Sequence, residues 1–456
     1  MEIGRKRGFT GESMKVTLQK TRKISRELKG ILQREDSSRT SPPMALKVAL
    51  LGCVGVVWLL RLGVQGADAG DGRKGMEPVP GERLIHLGGR CGSLCPLIHT
   101  NVNLTGAGSA RSIFEFRTLD PEGLVFYGDT QGGADWFVLV LRGGVPEMQI
   151  KKADILSMVS GGPRLNDGKW HQLEVRSEGK IVVLEVDQQV ALMVGLDSPM
   201  TRVQGDMTGQ IRISLGMMLR QEKELFEPLV LAMDGCIRRG VWLNLSDPWV
   251  ADLDPNAYSC FPDIQPGSYF SGEGLVVFNT SDSLSLPPPP FPSQSRDNII
   301  VELEGHVEDW TGSFLNIQTQ NHESLIIATV RNQTKQLEIN VDTLTHIMPL
   351  VPGENSLTLN LSRHQIKVHY GTTDFTIKQT PPGDPRDWLA EWDKGLFLAF
   401  GGVMGGSLHS GSLHSGSDYL HGCIGKIKVQ NQEVDLDRAL YKHASVTSHS
   451  CPVSPL

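Results

Sequence analysis

Residues 112–142 read SIFEFRTLDPEGLVFYGDTQGGADWFVLVLR, three short apolar runs separated by turn signals. Phe114 and Phe116 alternate with Glu115 and Arg117, the period of a half-buried strand. Asp120-Pro121-Glu122-Gly123 then supplies a turn, because proline pre-sets φ and aspartate bonds backbone two residues on. GLVFYG (123–128) and DWFVLVLR (135–142) follow as the next strands.

The same rhythm extends in both directions. PEMQI (146–150), KWHQLEV (169–175), KIVVLEVD (180–187) and QIRISLG (210–216) read as strands, with Arg142-Gly143-Gly144 and Asn166-Asp167-Gly168 as turns. A second series begins near Pro262, with NIIVELEG (298–305), SFLNIQT (313–319), SLIIATV (324–330), QLEINV (336–341), SLTLNL (356–361), QIKVHY (365–370) and GLFLAF (395–400) among its members. A βαβ fold needs helical segments between strands, and none is visible; antiparallel sandwiches fit instead. At 456 residues the chain exceeds one core, and its 50 Gly and 26 Pro suit many turns. The fold class predicted is all-β.

The N-terminus divides differently. Residues 1–43 carry 11 Lys+Arg against 5 Asp+Glu, and Met44 then opens a signal-peptide layout spanning 44–66. Lys47 is its basic region, and Val48 to Leu60 form an apolar run of ~20 Å as a helix, short of a ~30 Å hydrocarbon core. Residues 1–43 read as an upstream extension or mispredicted start, ahead of the rival readings of a type II anchor or a basic nucleic-acid arm. From Ala67 onward the chain holds 31 Lys+Arg and 46 Asp+Glu, net -15, a poor match for nucleic acid or for an acidic glycan. Residues 67–104 are aperiodic and read as a loosely ordered lead-in. The protein is expected to be secreted, with no stable membrane span.

Cysteine usage agrees with an oxidising compartment. Cys236 and Cys260 lie 24 apart, Cys423 and Cys451 lie 28 apart, and the first members share the frames Asp-Gly-Cys-Ile and His-Gly-Cys-Ile. Of the seven cysteines, Cys53 lies in the signal-peptide layout; the other six allow fifteen connectivities, and a duplication closed by Cys236–Cys260 and Cys423–Cys451 is the economical one. Cys91 and Cys95 are left as a possible small loop. Sequons stand at Asn103, Asn244, Asn279, Asn332 and Asn360. No G-x-S-x-G elbow, H-E-x-x-H, P-loop or helix-opening G-x-G-x-x-G occurs, so no residues can be nominated for catalysis.

FEFRTLDPEGLVFYGDT (114–130), DWFVLVLR (135–142), GGPRLNDGKWHQLEV (161–175), DGCIRRGVWL (234–243) and LHGCIGKI (420–427) together carry a resemblance. The chain resembles the tandem laminin G-like family, in its steroid-carrying branch and in the form found in non-mammalian vertebrates. The likeness covers about residues 105–452 and implies two jelly-roll type antiparallel β-sandwiches, at 105–260 and 261–456. It implies steroid binding in the first, with testosterone, dihydrotestosterone and estradiol as ligands carried in plasma or reproductive fluids. The alternative within the family is an adhesion or receptor-ligand module.

Residue by residue, the resemblance assigns Ser112 to the ring A group of the steroid, Asp135 to its 17β-hydroxyl, and Phe137 and Ile211 to the apolar walls. Lys152 stands where mammalian members have an asparagine. Asp120 and Glu122 match a structural calcium site, whose hard oxygen donors suit that ion. Ala153 occupies a histidine position of the zinc site some members carry, so no zinc is expected. A homodimer is implied through a sheet edge around Val159 and Ala191.

Overall fold

The computed structural model describes residues 84–88, 100–103, 109–130, 135–152, 155–178, 181–195, 210–219, 225–227, 229–242, 260–281, 298–378, 386–405 and 419–453. The expected signal peptide, the extension before it, Cys91, Cys95, Ala153 and Asn244 lie outside these residues.

The first sandwich is built from β1 (Ile85–His86), β2 (Thr100–Asn103), β3 (Ser109–Thr118), β4 (Gly123–Thr130), β5 (Trp136–Arg142), β6 (Val145–Lys152), β7 (Ile155–Ser160), β8 (His171–Glu178), β9 (Ile181–Val186), β10 (Gln189–Gly195), β11 (Gln210–Leu215) and β12 (Gly235–Val241). They form two six-stranded sheets, ordered β1-β12-β3-β8-β9-β10 and β2-β11-β4-β5-β6-β7. Every pairing within them is antiparallel. The alternation seen in the sequence is the reason: Phe114 and Phe116 on β3, Leu173 and Val175 on β8 and Leu184 and Val186 on β9 are all buried in one core. Facing them from the other sheet are Phe126, Leu139, Leu141, Met148 and Ile213.

The Asn166-Asp167-Gly168 turn forms as its sequence demands. Gly168 sits at φ +76°, where an L side chain is strained, and the Asp167 carboxylate accepts the Lys169 amide at 2.9 Å.

Within the expected lead-in, the described residues include two short strands. Ile85–His86 pairs with β12, and Thr100–Asn103 pairs with β11, each at the rim of a sheet. Strands of two and four residues are too short to display a period, so hydropathy could not announce them.

The second sandwich repeats the plan with a seven-stranded and a six-stranded sheet, spanning 276–442 and 298–433. Its largely aliphatic core also holds large rings: Phe278, Trp310, Phe314, Phe400 and Trp388 are all fully buried. Trp388 belongs to a short helix, Trp388–Lys394, that the sequence reading missed. Asp387 caps it by accepting the amides of Leu389 and Ala390, and Trp388 and Trp392 share its buried face at i,i+4 spacing.

The duplication closes as its spacing predicts. Cys236 bonds Cys260 and Cys423 bonds Cys451, with Cα atoms 6.1 and 6.0 Å apart. Among the described residues no helix is long and apolar enough to cross a membrane.

Candidate functional site

Two regions gather the residues singled out by the sequence. The first lies between the sheets of the N-terminal sandwich. Ser112 is buried on β3, two residues before Phe114, and so shares its inward face. Phe114 stacks on Phe126 of the opposite sheet at 6.0 Å, and Phe126 meets Phe137 at 5.1 Å. Trp242 closes the group, 5.2 Å from Phe114 and 5.7 Å from Phe126. A continuous line of rings therefore runs from the Ser112 strand to the Phe137 strand. Phe137 packs on the core while remaining half-buried, and Asp135, also half-buried, immediately precedes β5.

Lys152 ends β6 opposite Ile155, and Ile211 pairs with Val102 and Thr130 across β11; their side chains lie outside the described residues. Trp242 was not singled out from the sequence, although its place six residues beyond Cys236 in the quoted Asp-Gly-Cys run marked it as accessible to that reasoning.

The second region lies where the two sandwiches meet. In the turn after β3, Asp120 accepts the Glu122 amide at 2.9 Å and the Asp234 amide at 2.8 Å. Its carboxylate also faces His449 Nε2 at 3.4 Å, from the end of the second sandwich. That imidazole nitrogen lies 3.5 Å from Asp437 Oδ2 and 3.6 Å from Asp435 Oδ1. Asp437 Oδ1 is paired with Lys442 Nζ at 2.6 Å, while its buried Oδ2 has no hydrogen-bond partner. One ligand atom each from Asp120, Asp437 and His449 lies within 4.8 Å of the others.

Burial shapes the electrostatics of this cluster. Desolvation pushes the Asp120 carboxyl up to about 8, with His449 pulling down and Asp437 pushing up. Burial works the same way on Asp437, yet Lys442 and His449 outweigh it and hold that carboxyl well below the usual range. His449 is raised well above its ordinary value: burial opposes its charge, but Asp120, Asp435 and Asp437 overcome it.

Glu122, named with Asp120 by the sequence reading, is engaged elsewhere. Its oxygens accept the Val230 amide at 3.2 Å and the Arg438 guanidinium at 3.0 Å. His449, two residues before Cys451, and Asp437, in the VDLDRAL run (434–440), escaped sequence reasoning because neither lies in a ligand-spaced motif and only the docking of the sandwiches brings them together.

Val159 and Ala191 sit on β7 and β10, the last strands of the two sheets on the same rim, both half-buried against the core. Gly162 approaches Ala191 so closely that a Cβ there would fall 2.9 Å from the alanine methyl. Of the sequons, Asn279, Asn332 and Asn360 are partly exposed, while Asn103 is described only as a residue of β2.

Comparison with known proteins gives a consistent picture. The Laminin G domain family matches residues 116–246. Sex hormone-binding globulin of Crocuta crocuta is 32% identical over 375 residues, covering 81% of this chain and 89% of that protein. The protein of that name from Homo sapiens is 32% identical over 364 residues, covering 79% and 85%. Growth arrest-specific protein 6 of Mus musculus is 24% identical, over 74% of this chain and 52% of its own length. Among solved structures, domains LG4-5 of the mouse laminin alpha1 chain superpose with a TM-score of 0.56 at 19% identity, covering 82% of this chain and 96% of that one. These relatives are a binding protein and laminin G modules, not enzyme families.

Proposed function

The chain belongs to the sex hormone-binding globulin family, and from that premise we propose that it is a secreted steroid carrier whose ligand lies between the sheets of the N-terminal sandwich. The observation that carries this reading is the ring series Phe114–Phe126–Phe137, with Ser112 buried on one strand and Asp135 at the head of another. A steroid brings ~400 Å² of apolar surface, worth ~10 kcal/mol before the costs of association. Apolar walls supply that term without fixing orientation. Polar anchors at opposite ends do so, since a buried hydroxyl or carbonyl left unpaired is penalised.

In this reading Ser112 bonds the ring A oxygen and Asp135 accepts from the 17β-hydroxyl. Phe137 and Ile211 form walls, and Lys152 donates near ring D. Testosterone, dihydrotestosterone and estradiol are the ligands, carried in plasma or reproductive fluids. The carrier works as a homodimer through the β7 and β10 rim, where Val190 and Met193 are each 55% exposed beside Ala191.

Calcium is the second component of the reading. What supports calcium is that Asp120 and Asp437 each direct a carboxylate oxygen to one spot; binding there would displace the protons that Asp120 and His449 hold. Asp120 and Asp437 would hold the ion, Glu122 would brace the turn through Arg438, and the ion's contribution is structural.

Equilibrium binding of tritiated testosterone and estradiol to residues 67–456 tests the proposal. Binding tighter than ~1 µM in calcium, weakened in Ser112→Ala and Asp135→Ala, is expected. Absence of binding to either steroid at that level sinks it.

A further inference from the structure

Asp234 directly precedes the Gly-Cys pair that opens β12, and its side chain is buried. Its carboxylate accepts four sets of hydrogen bonds, and only one comes from its own sandwich: His86 Nε2 at 2.9 Å. The others come from the far end of the chain. The His449 amide donates at 2.8 Å, the Ser450 amide at 2.9 Å, and the Ser450 hydroxyl reaches both oxygens at 2.8 and 3.0 Å.

We propose that Asp234 is a latch through which the C-terminal segment of the second sandwich completes the first, so that the two unfold as one cooperative unit. The reasoning is electrostatic. Burial alone disfavours an ionised carboxylate, and Asp234 tolerates it through this set of donors. Undocking the second sandwich while the first stays folded would leave His86 as its remaining partner. The other ring nitrogen of His86, Nδ1, already lacks one. A half-docked state is therefore disfavoured relative to both the complete and the fully unfolded chain.

The segment that fills the latch is itself held in place. Ser450–Pro452 pairs with Ile264–Pro266, and Cys451 is bonded to Cys423. Gly267 makes this packing possible: it sits at φ +142°, and a Cβ there would fall 2.7 Å from Cys451 Sγ. The linker is fastened separately, by Arg117 of β3, whose guanidinium donates to the carbonyls of Phe261 and of Pro262, the latter at 2.6 Å. Arg117 is in turn stacked over Trp170, which Arg238 covers at 4.2 Å. On the first sandwich, the Thr118 hydroxyl donates to the Asp234 carbonyl at 2.5 Å, which joins the latch residue to the end of β3.

Differential scanning calorimetry of the secreted chain, residues 67–456, is the test. The wild type is expected to show one transition with equal calorimetric and van't Hoff enthalpies. Asp234→Asn, which keeps the shape but places an amide against amide donors, is expected to split it into two. Ser450→Ala removes one hydroxyl and leaves the backbone donors, so it serves as the milder variant. By hydrogen exchange it is expected to speed the 449–451 and 235–241 amides ~10-fold while leaving residues 312–331 unchanged. Two independent transitions in the wild type overturn the latch. So does a Ser450→Ala chain whose exchange matches the wild type, which decides the matter even if Asp234→Asn fails to fold.

Discussion

His449 Nε2 lies 3.4 Å from Asp120 Oδ1, joining the last strand-end of the second sandwich to the first long turn of the first. The contact gathers two carboxylates around an imidazole, and a hard divalent cation would bind those carboxylate oxygens in place of the His449 proton. Calcium at a hundredfold excess over its Kd adds ~2.7 kcal/mol to the folded state, a shift of several degrees. EDTA is expected to lower the melting temperature of the wild type by that amount. Asp120→Asn and Asp437→Asn are expected to melt alike with calcium and with EDTA. An Asp437→Asn protein that keeps the full calcium shift would place the ion on the Asp-Pro-Glu turn alone.

The steroid anchors should act independently of that site. Ser112→Ala and Asp135→Asn are each expected to weaken dihydrotestosterone about 10-fold, the loss of one hydrogen bond in an apolar setting. Phe137→Ala removes ring contact instead and should weaken all three steroids together. Equilibrium dialysis at fixed calcium separates the two patterns.

Asp234 gives a pH signature. Burial disfavours its charge, but the His86 hydrogen bond and charge and the His449 amide hold it down to about 2, below its ordinary 3.8. A depressed carboxyl contributes stability above its unfolded pKa and loses it as pH falls through the folded value. The contribution is about 2 kcal/mol, fully present above pH ~5 and lost between pH ~4 and ~2. Urea midpoints of wild type and Asp234→Asn should differ at pH 6 and converge as pH approaches 2. A gap that stays constant with pH would show that the carboxylate's charge is irrelevant.

Cys236–Cys260 closes a 24-residue separation beside the same latch. Replacing both cysteines by serine is expected to cost about 3 kcal/mol through the freed unfolded chain. Urea denaturation of the double variant reads this directly.

The rim carrying Val159 and Ala191 has its own test. Val159→Glu places a charge beside the core edge at β7; sedimentation velocity is expected to show a dimer for the wild type and a monomer for the variant. Unchanged sedimentation would move the dimer contact off this rim.

Much of the fold was legible because β-structure writes itself locally. Alternation along SIFEFRT and QIRISLG, proline and glycine at the turns, and paired cysteine frames each need only a few adjacent residues. What escaped were elements with no local signature. Ile85–His86 is too short to show a period, and the Trp388–Lys394 helix spends its two tryptophans on one buried face within seven residues. In the candidate sites, Ser112, Asp135 and Phe137 were reached only through resemblance, since each alone reads as an ordinary strand residue.

The sequence by itself determined the strand pattern, the two disulfides and the acidic charge of the chain, because periodicity, spacing and composition are properties of the linear polymer. Only the tertiary structure decided that Asp120, Asp437 and His449 converge, and that Asp234 holds Ser450. Those partners are joined by the docking of two sandwiches. Burial then turns ordinary surface residue types into a charged seam, and no local pattern along the chain records that burial.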